Sequence, residues 1–415
     1  MSEPIRVLHF ADAHIGTENY GKIDPASGLS SRVQDYLRRV DEMIAYAGEG
    51  DVDLAVFAGD AFRSRNPDPT LQRAFAQRIL ALAQLAPTVL LAGNHDLPIN
   101  AAKASTLDIY QTLEVPNIWV AQDYALRRLS TKRGDVMVGA APYPVRARLL
   151  GDRSGRGSTI AEQDAELERI LGDKLASLAH QAESLADETT PRLLAGHFSV
   201  AGAVWGSERQ VMLGRDVTVD LEALADAGWD YVALGHIHRH QNLTAPRRAA
   251  PPVVYSGSPE RSDFSEEAEV KGFCWVELAR GRADWQFIEL KARERRSIHI
   301  DCRDSNNPTQ QALDTLKQQT LAGAIVRLEL RLTAESEALL DERAIIEALK
   351  GAGVFHIAGI RKDVERGGPT RLGRSPEGLS PMELLERYLE IRDVDAERRE
   401  ALLERAQEVV NRTLT

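Results

Sequence analysis

The stretch YVALGHIHRH, Tyr231 to His240, joins an apolar run to three histidines at alternate positions, His236, His238 and His240. The run YVALG is short, continuous and uncharged, the pattern of a strand covered on both faces rather than one. Gly235 permits a sharp turn. The histidines follow where a strand of an open α/β sheet delivers its residues to a ligand. Five other runs share this form: RVLHFAD (Arg6 to Asp12), LAVFAGD (Leu54 to Asp60), TVLLAGNHD (Thr88 to Asp96), VMVGAAP (Val136 to Pro142) and RLLAGH (Arg192 to His197). Helical patterns fall between them. Ser31 to Ala47 spaces Val33, Leu37, Val40, Ile44 and Ala47 by three or four residues. Asp68 and Pro69 read as an N-cap and first turn of a helix ending near Leu85, and Ile160 to Leu185 reads as another. Strands alternating with helices predict an α/β fold with its sheet covered on both sides.

The predicted strand ends carry Asp12-Ala13-His14, Gly59-Asp60, Gly93-Asn94-His95-Asp96, Gly196-His197 and Gly235-His236-Ile237-His238. These are imidazole, carboxylate and carboxamide donors without a thiolate, a set that suits manganese, iron or a similar catalytic divalent ion better than structural zinc. Seven candidates, Asp12, His14, Asp60, Asn94, His197, His236 and His238, are too many for one ion and suit two. Asp60, alone at its strand end, is the carboxylate best placed to bridge. Each motif alone is weak: an Asp-x-His recurs by chance, a Gly-Asp carries no information, and GHIH fits surface histidines. All five in order at strand ends, using five of the ten histidines, favour a site over coincidence. His9 inside the first strand reads as a core histidine, His240 as a surface or supporting one, and His180, His299 and His356 as structural.

Downstream, PPVVYSGS, GFCWVEL and DWQFIEL read as neighbouring antiparallel strands that close a first domain, residues 1–295. A β-α-β-α-β order then restarts: SIHIDC, a helix from Pro308 to Leu321, IVRLEL, a helix from Ala334 to Leu349, and VFHIAGI. This predicts a small α/β domain over 296–360. The Gly-, Pro- and Arg-rich residues 361–379 read as a linker. Ser380, with Pro381 and Glu383 behind it, forms a capping box, and a second helix starts near Asp395. The pair over 380–415 carries apolar stripes, Met382, Leu385 and Leu389, then Leu402, Leu403, Ala406 and Val410. Such a pair either packs as a subdomain or docks a partner.

At 415 residues, 43% hydrophobic, two or three domains are expected. No 18-residue apolar stretch occurs, which excludes a hydropathy-type membrane span. MSEPIRVLHF shows neither the basic nor the apolar region of a secretory leader. Cys274 and Cys302 have no metal-type spacing and give no disulfide framework, so a reducing cytoplasm is expected. The net charge of −11 is the wrong sign for bulk attraction to nucleic acid. A nucleic-acid partner needs local cations; Arg146, Arg148, Arg153 and Arg156 form one candidate cluster, and Lys291, Arg293, Arg295 and Arg296 another.

The motif order D-x-H, GD, GNHD, GH and GHxH resembles the calcineurin-like metallophosphoesterase superfamily. LHFADAHIG, YSGSPERSDFSEEAEVKGF (Tyr255 to Phe273) and the C-terminal helix pair resemble its SbcD-type nuclease branch, kin to archaeal and eukaryotic break-repair nucleases. The resemblance implies a four-layer metallophosphoesterase β-sandwich flanked by helices, with a DNA-binding capping domain and a C-terminal helix pair. It implies a metal-dependent DNA exonuclease and endonuclease acting in break repair or hairpin processing. It also implies a complex with an SbcC-like SMC-family ATPase through helices 380–415, a homodimer, and no membrane. Two divalent ions are implied, manganese first, with magnesium or iron as alternatives. One would be held by Asp12, His14, Asp60 and His238, the other by Asp60, Asn94, His197 and His236, with Ile237 turned into the core. His95 would be catalytic, stabilising the transition state or protonating the leaving oxygen, and held by Asp96 or a neighbouring acid. Arg63 stands where relatives often carry a histidine that places DNA. Two alternatives remain: a phosphatase or phosphodiesterase acting on a small substrate with the same ions, and a non-catalytic scaffold of this fold. The residues beyond the first domain argue against the former, and the complete donor set against the latter.

Overall fold

The structure is a computed structural model that describes residues 3–98, 103–150, 159–206, 216–225, 228–247, 250–365, 380–392 and 394–413. The chain divides into two units. One takes residues 1–297, 321–326 and 353–358; the other takes 298–320, 327–352 and 359–415.

The strands of the first unit, in chain order, are β1 (Ile5–Phe10), β2 (Leu54–Phe57), β3 (Thr88–Leu91), β4 (Ile118–Ala121), β5 (Ala125–Thr131), β6 (Gly134–Ala141) and β7 (Arg192–His197). After them come β8 (Ser199–Val200), β9 (Thr218–Val219), β10 (Tyr231–Gly235), β11 (Gln241–Asn242), β12 (Val253–Tyr255), β13 (Gly272–Ala279) and β14 (Arg282–Glu289). Two six-stranded sheets form, in the orders β14-β13-β1-β2-β3-β4 and β11-β12-β10-β7-β6-β5, with a small β8-β9 pair beside them. The first sheet is parallel from β1 to β4. In the second, β6, β7, β10 and β12 are parallel.

Alternation within each strand sorts its side chains between two layers. In β1, Leu8 and Phe10 pack with Val33, Leu37, Val40 and Met43 of helix Ser31–Glu49 and with Phe75 and Ile79 of helix Pro69–Leu85. Ile5 and Val7 face inward, into a layer shared with Val138, Leu193, Ala195, Ala233 and Val254 of the other sheet. The far side of that second sheet is covered by Leu167, Leu171, Leu175 and Leu178 of helix Ile160–Leu185. The result is a helix–sheet–sheet–helix stack of four layers.

One expectation fails here. VVY does not pair with GFCWVEL. β12 lies parallel to β10 in the second sheet, whereas β13 and β14 form the hairpin that closes on β1 in the first. The β13–β14 turn is tight, with Gly281 at φ 78°, while residues 256–271 are long enough to cross between sheets. β4 and β5 are not foreshadowed by the sequence pattern. β4 has four residues, and β5 is an edge strand carrying two exposed arginines.

The second unit is built around β15 (Arg295–Asp301), β16 (Ile325–Thr333) and β17 (His356–Glu365), which lie in that order in one sheet. Helix Pro308–Lys317 buries Ala312 and Leu316. The single helix expected from Ala334 is two, Ala334–Ala338 and Glu342–Gly351, because the Asp341 side chain accepts from Ala344 N and restarts the turn. β17 continues to Glu365, five residues into the stretch expected as linker; residues 366–379 lie outside the described residues. Helices Pro381–Ile391 and Ala396–Thr413 follow, the first opened by the reciprocal Ser380–Glu383 capping box. Among the described residues, no helix is long and apolar enough to cross a membrane.

Candidate metal centre

The strand ends of both sheets deliver their polar residues to one place. Asp12 and His14 follow β1, Asp60 follows β2, Asn94 and His95 follow β3, His197 ends β7, and His236 and His238 follow β10. Asp12, His14, Asp60, His197, His236 and His238 are buried to 5% exposure or less, and Asn94 to 8%. The Asp12 carboxylate accepts from His236 N at 3.1 and 3.0 Å, which joins the two sheets directly. Asp12, His14, Asp60 and His236 all have left-handed backbones, with φ of 53°, 40°, 61° and 98°. Each costs a non-glycine residue ~1–2 kcal/mol, and strain gathered at one spot marks a functional site.

Two glycines make room for this packing. A Cβ on Gly59, itself at φ 99°, would collide with the His197 imidazole, and a Cβ on Gly93 would collide with the Asp60 carboxylate.

Asp60 lies at the middle. Its Oδ2 is 3.6 Å from both His14 Nε2 and His197 Nε2, and its Oδ1 accepts from His95 N at 2.7 Å. On one side, His14 Nε2 faces His238 Nε2 at 2.9 Å. On the other, Asn94 Oδ1 lies 3.1 Å from His197 Nε2 and 3.0 Å from His236 Nδ1. Ligand atoms of Asp12, His14 and His238, of Asp12, Asp60 and His197, and of His14, Asp60 and His95 each fall within 4.8 Å of one another. Ile237, between the two histidines, is fully buried in the outer core.

The outward ring nitrogens fix the inward ones. His238 Nδ1 is held by Glu266 Oε1 at 2.9 Å, and His197 Nδ1 donates to the Ala58 carbonyl at 2.7 Å, so both turn Nε2 inward. His236 is reversed: Asp216 Oδ2 holds its Nε2 at 2.9 Å, leaving Nδ1 toward Asn94. The Ser199 hydroxyl also donates to Asp216. Neither Asp216 nor Glu266 stood out in the sequence. Each is one acid among several, and its role arises from contact with a histidine rather than from spacing. Glu266 sits beneath His238 with Ser262 N, Ser262 Oγ and the buried Lys271 ammonium on its oxygens.

The same geometry corrects the expected partner of His95. Asp96 spends its carboxylate on the backbone N–H groups of Asp60, Gly93 and Ala61, at 2.8, 2.9 and 3.0 Å. His95 Nδ1 donates instead to the Arg63 carbonyl at 2.8 Å. A carboxylate that braces three amides of the adjacent turn points away from the imidazole. In the second basic cluster only Arg293 and Arg295 are drawn inward, while Lys291 and Arg296 stay exposed. Arg293 pairs with Asp35 at 2.7 Å, Arg295 is 1% exposed, and Arg296 pairs with Glu294 at 2.9 Å. In the first cluster Arg146 pairs with Asp164 at 2.6 Å, and Arg153 and Arg156 lie outside the described residues.

Electrostatics fit a cation. Burial pushes the Asp12 carboxyl up to about 6 and Asp96 up to about 7. Burial opposes charge on His14 as well, and its imidazole falls well below the usual range. At Asp60 burial works upward, but His197 and its neighbours outweigh it and keep the acid ionised. Two facing imidazole nitrogens at 2.9 Å can share only one proton; otherwise their lone pairs meet, and a metal ion takes both. The donor set thus suits hard-to-borderline divalent ions.

Comparison with known proteins agrees with this chemistry. Residues 5–240 match the family model for calcineurin-like phosphoesterases. The chain is 32% identical over 298 residues to the SbcD component of the nuclease SbcCD of Bacillus subtilis, covering 69% of this chain and 70% of that protein. It is 29% identical to the SbcD component from Rhodobacter capsulatus, over 67% and 68% of the two chains. It is 26% identical to the DNA double-strand break repair protein Mre11 of Haloferax volcanii, over 80% of this chain and 62% of that one. A phosphoesterase-family match across more than half the chain, a candidate metal-binding cluster at its strand ends, and this identity to the SbcD proteins together place it: the chain belongs to the calcineurin-like phosphoesterases and, within them, to the SbcD nucleases.

Proposed function

We propose that the chain is a two-metal DNA nuclease that hydrolyses phosphodiester bonds in break repair or hairpin processing. The observation that carries this reading is Asp60 Oδ2, equidistant at 3.6 Å from a histidine of each half of the cluster. A carboxylate so placed would serve both ions. Asp12, His14, Asp60 and His238 would hold one ion, and Asp60, Asn94, His197 and His236 the other, manganese being the metal best suited to the donors. Bound ions would supply nucleophile activation and charge neutralisation at phosphorus. The chain's own part is to fix donor directions through Glu266, Asp216 and the Ala58 carbonyl. His95, half-buried, with Nδ1 tied to the Arg63 carbonyl and its ring beside His14 and Asp60, would stabilise the transition state or protonate the leaving oxygen. Burial draws it below the usual imidazole range although Asp60 opposes this.

In this reading residues 1–295 are catalytic, 296–365 form a DNA-binding cap, and 380–415 dock an SMC-type ATPase, in the cytoplasm. Exposed Tyr388, Ile391 and Leu402 on the last helices support docking, and a homodimer belongs to the same reading. The test is manganese-dependent cleavage of linear and hairpin DNA beside a small phosphodiester. Asp60→Ala should abolish every activity, because it removes a ligand of both ions. Retained DNA cleavage in that variant overturns the two-ion reading, and cleavage of the small diester alone by the unaltered protein overturns the DNA reading.

A further inference from the structure

His9 occupies an inward position of β1, between Val7 and Ala11, in a layer otherwise lined by Val56, Leu91, Ala195, Ala233 and Val254. It is fully buried, and burial draws its imidazole down to about 3, so it is neutral throughout the working range. Its Nε2 lies 3.2 Å from the Leu234 carbonyl and its Nδ1 3.0 Å from the Tyr231 hydroxyl. The carbonyl can only accept. Nε2 is therefore the protonated nitrogen, and the tyrosine donates to Nδ1. A leucine or methionine would fill this space without needing any polar partner. The histidine adds a directional tie from β1 of one sheet to β10 of the other, which apolar packing cannot supply because it has no direction.

That tie lies three residues before Asp12 and two before His236. Each proposed ion draws donors from both sheets, so the offset between β1 and β10 sets the spacing of the donors. We propose that His9, through its bond to the Leu234 carbonyl, is a positioning residue that holds the two sheets in the register the metal centre requires. The inference rests on the two-ion reading.

The test is manganese titration of the full chain, with stoichiometry and affinity from calorimetry and the spin-coupled pair signal from electron paramagnetic resonance. A glutamine amide can occupy the place of imidazole Nε2 and keep the bond to Leu234; an asparagine amide reaches only the place of Nδ1. His9→Gln should keep two coupled ions. His9→Asn and His9→Phe should weaken the weaker ion by about 10- to 100-fold, the usual scale for lost supporting contacts, and lose the coupled signal. Tyr231→Phe, which spares the Leu234 bond, should bind as the unaltered chain does. Equal metal binding by His9→Gln and His9→Asn overturns the inference, including when His9→Phe fails to fold. An unaltered chain that never binds two coupled ions overturns the two-ion reading instead.

Discussion

Glu266 braces His238 and neutralises a buried lysine at once, so replacing it separates stability from metal binding. Its Oε1 accepts from His238 Nδ1 and Ser262 Oγ, and its Oε2 accepts from Ser262 N and lies 3.1 Å from Lys271 Nζ. Both oxygens face donors. The amide of Glu266→Gln must turn its NH2 toward one side and leave a donor facing a donor. Stranding one member of a buried ion pair costs ~3–5 kcal/mol. Lys271, fully buried, keeps Glu269 Oε2 at 2.8 Å and Ser258 Oγ at 3.0 Å, which puts the expected loss near the low end, ~3 kcal/mol. Adding Lys271→Met removes the stranded cation, and the double variant should regain most of that stability in urea unfolding. It should not regain manganese affinity, because an amide oxygen turned to His238 Nδ1 carries no negative charge to raise the basicity of Nε2; a loss of about 10- to 100-fold should persist in both variants. A double variant no more stable than Glu266→Gln refutes the buried-charge argument. Unchanged manganese affinity refutes the role given to the Glu266–His238 contact.

His95→Asn should keep two ions and full stability while cleavage falls by about 10²- to 10⁴-fold, the range for a lost proton-transfer group; loss of metal by elemental analysis would make His95 a ligand. Gly59→Ala forces a side chain into a left-handed backbone against the His197 ring, so unfolding should come at least ~1 kcal/mol easier and one ion should be lost; an unchanged stoichiometry of two counts against that packing. Asp35 tests pH dependence. Burial works to raise its carboxyl, but the guanidiniums of Arg293 and Arg32 outweigh it and hold it below the usual value. Its contribution is therefore complete above the unfolded value of ~3.9 and drains as pH falls through the lower folded one. Asp35→Asn should flatten the acid limb of the stability curve, and an identical acid-unfolding midpoint would refute the assignment.

What was legible in the sequence follows from what strands must do. Runs such as LAVF and YVALG are buried on both faces, so their apolar continuity survives in one dimension, and the polar residues at their ends stand out against it. The parallel core and the seven candidate ligands could be read for that reason. The partner of VVY could not, since residues 256–271 permit either sheet and only packing decides. Glu266 and Asp216 were hidden because a bracing acid is defined by the ring it touches. The misassignment of Asp96 has the same origin: adjacency to His95 along the chain says nothing of where a carboxylate turns once three amides compete for it. Arg293 and Arg295 looked like a basic surface and proved to be internal ties, because a charge run carries no sign of its own burial.

The carboxylate of Asp12 receiving the amide of His236 has a consequence for how the enzyme comes into being. Everything contributed by β1, β2 and β3 precedes β7 and β10 along the chain, so on the two-ion reading a nascent or truncated chain would own half a centre and no means to cut. Destructive chemistry would then be withheld until the turn after β10 is made and seated, and a nuclease would be harmless for as long as it is unfinished.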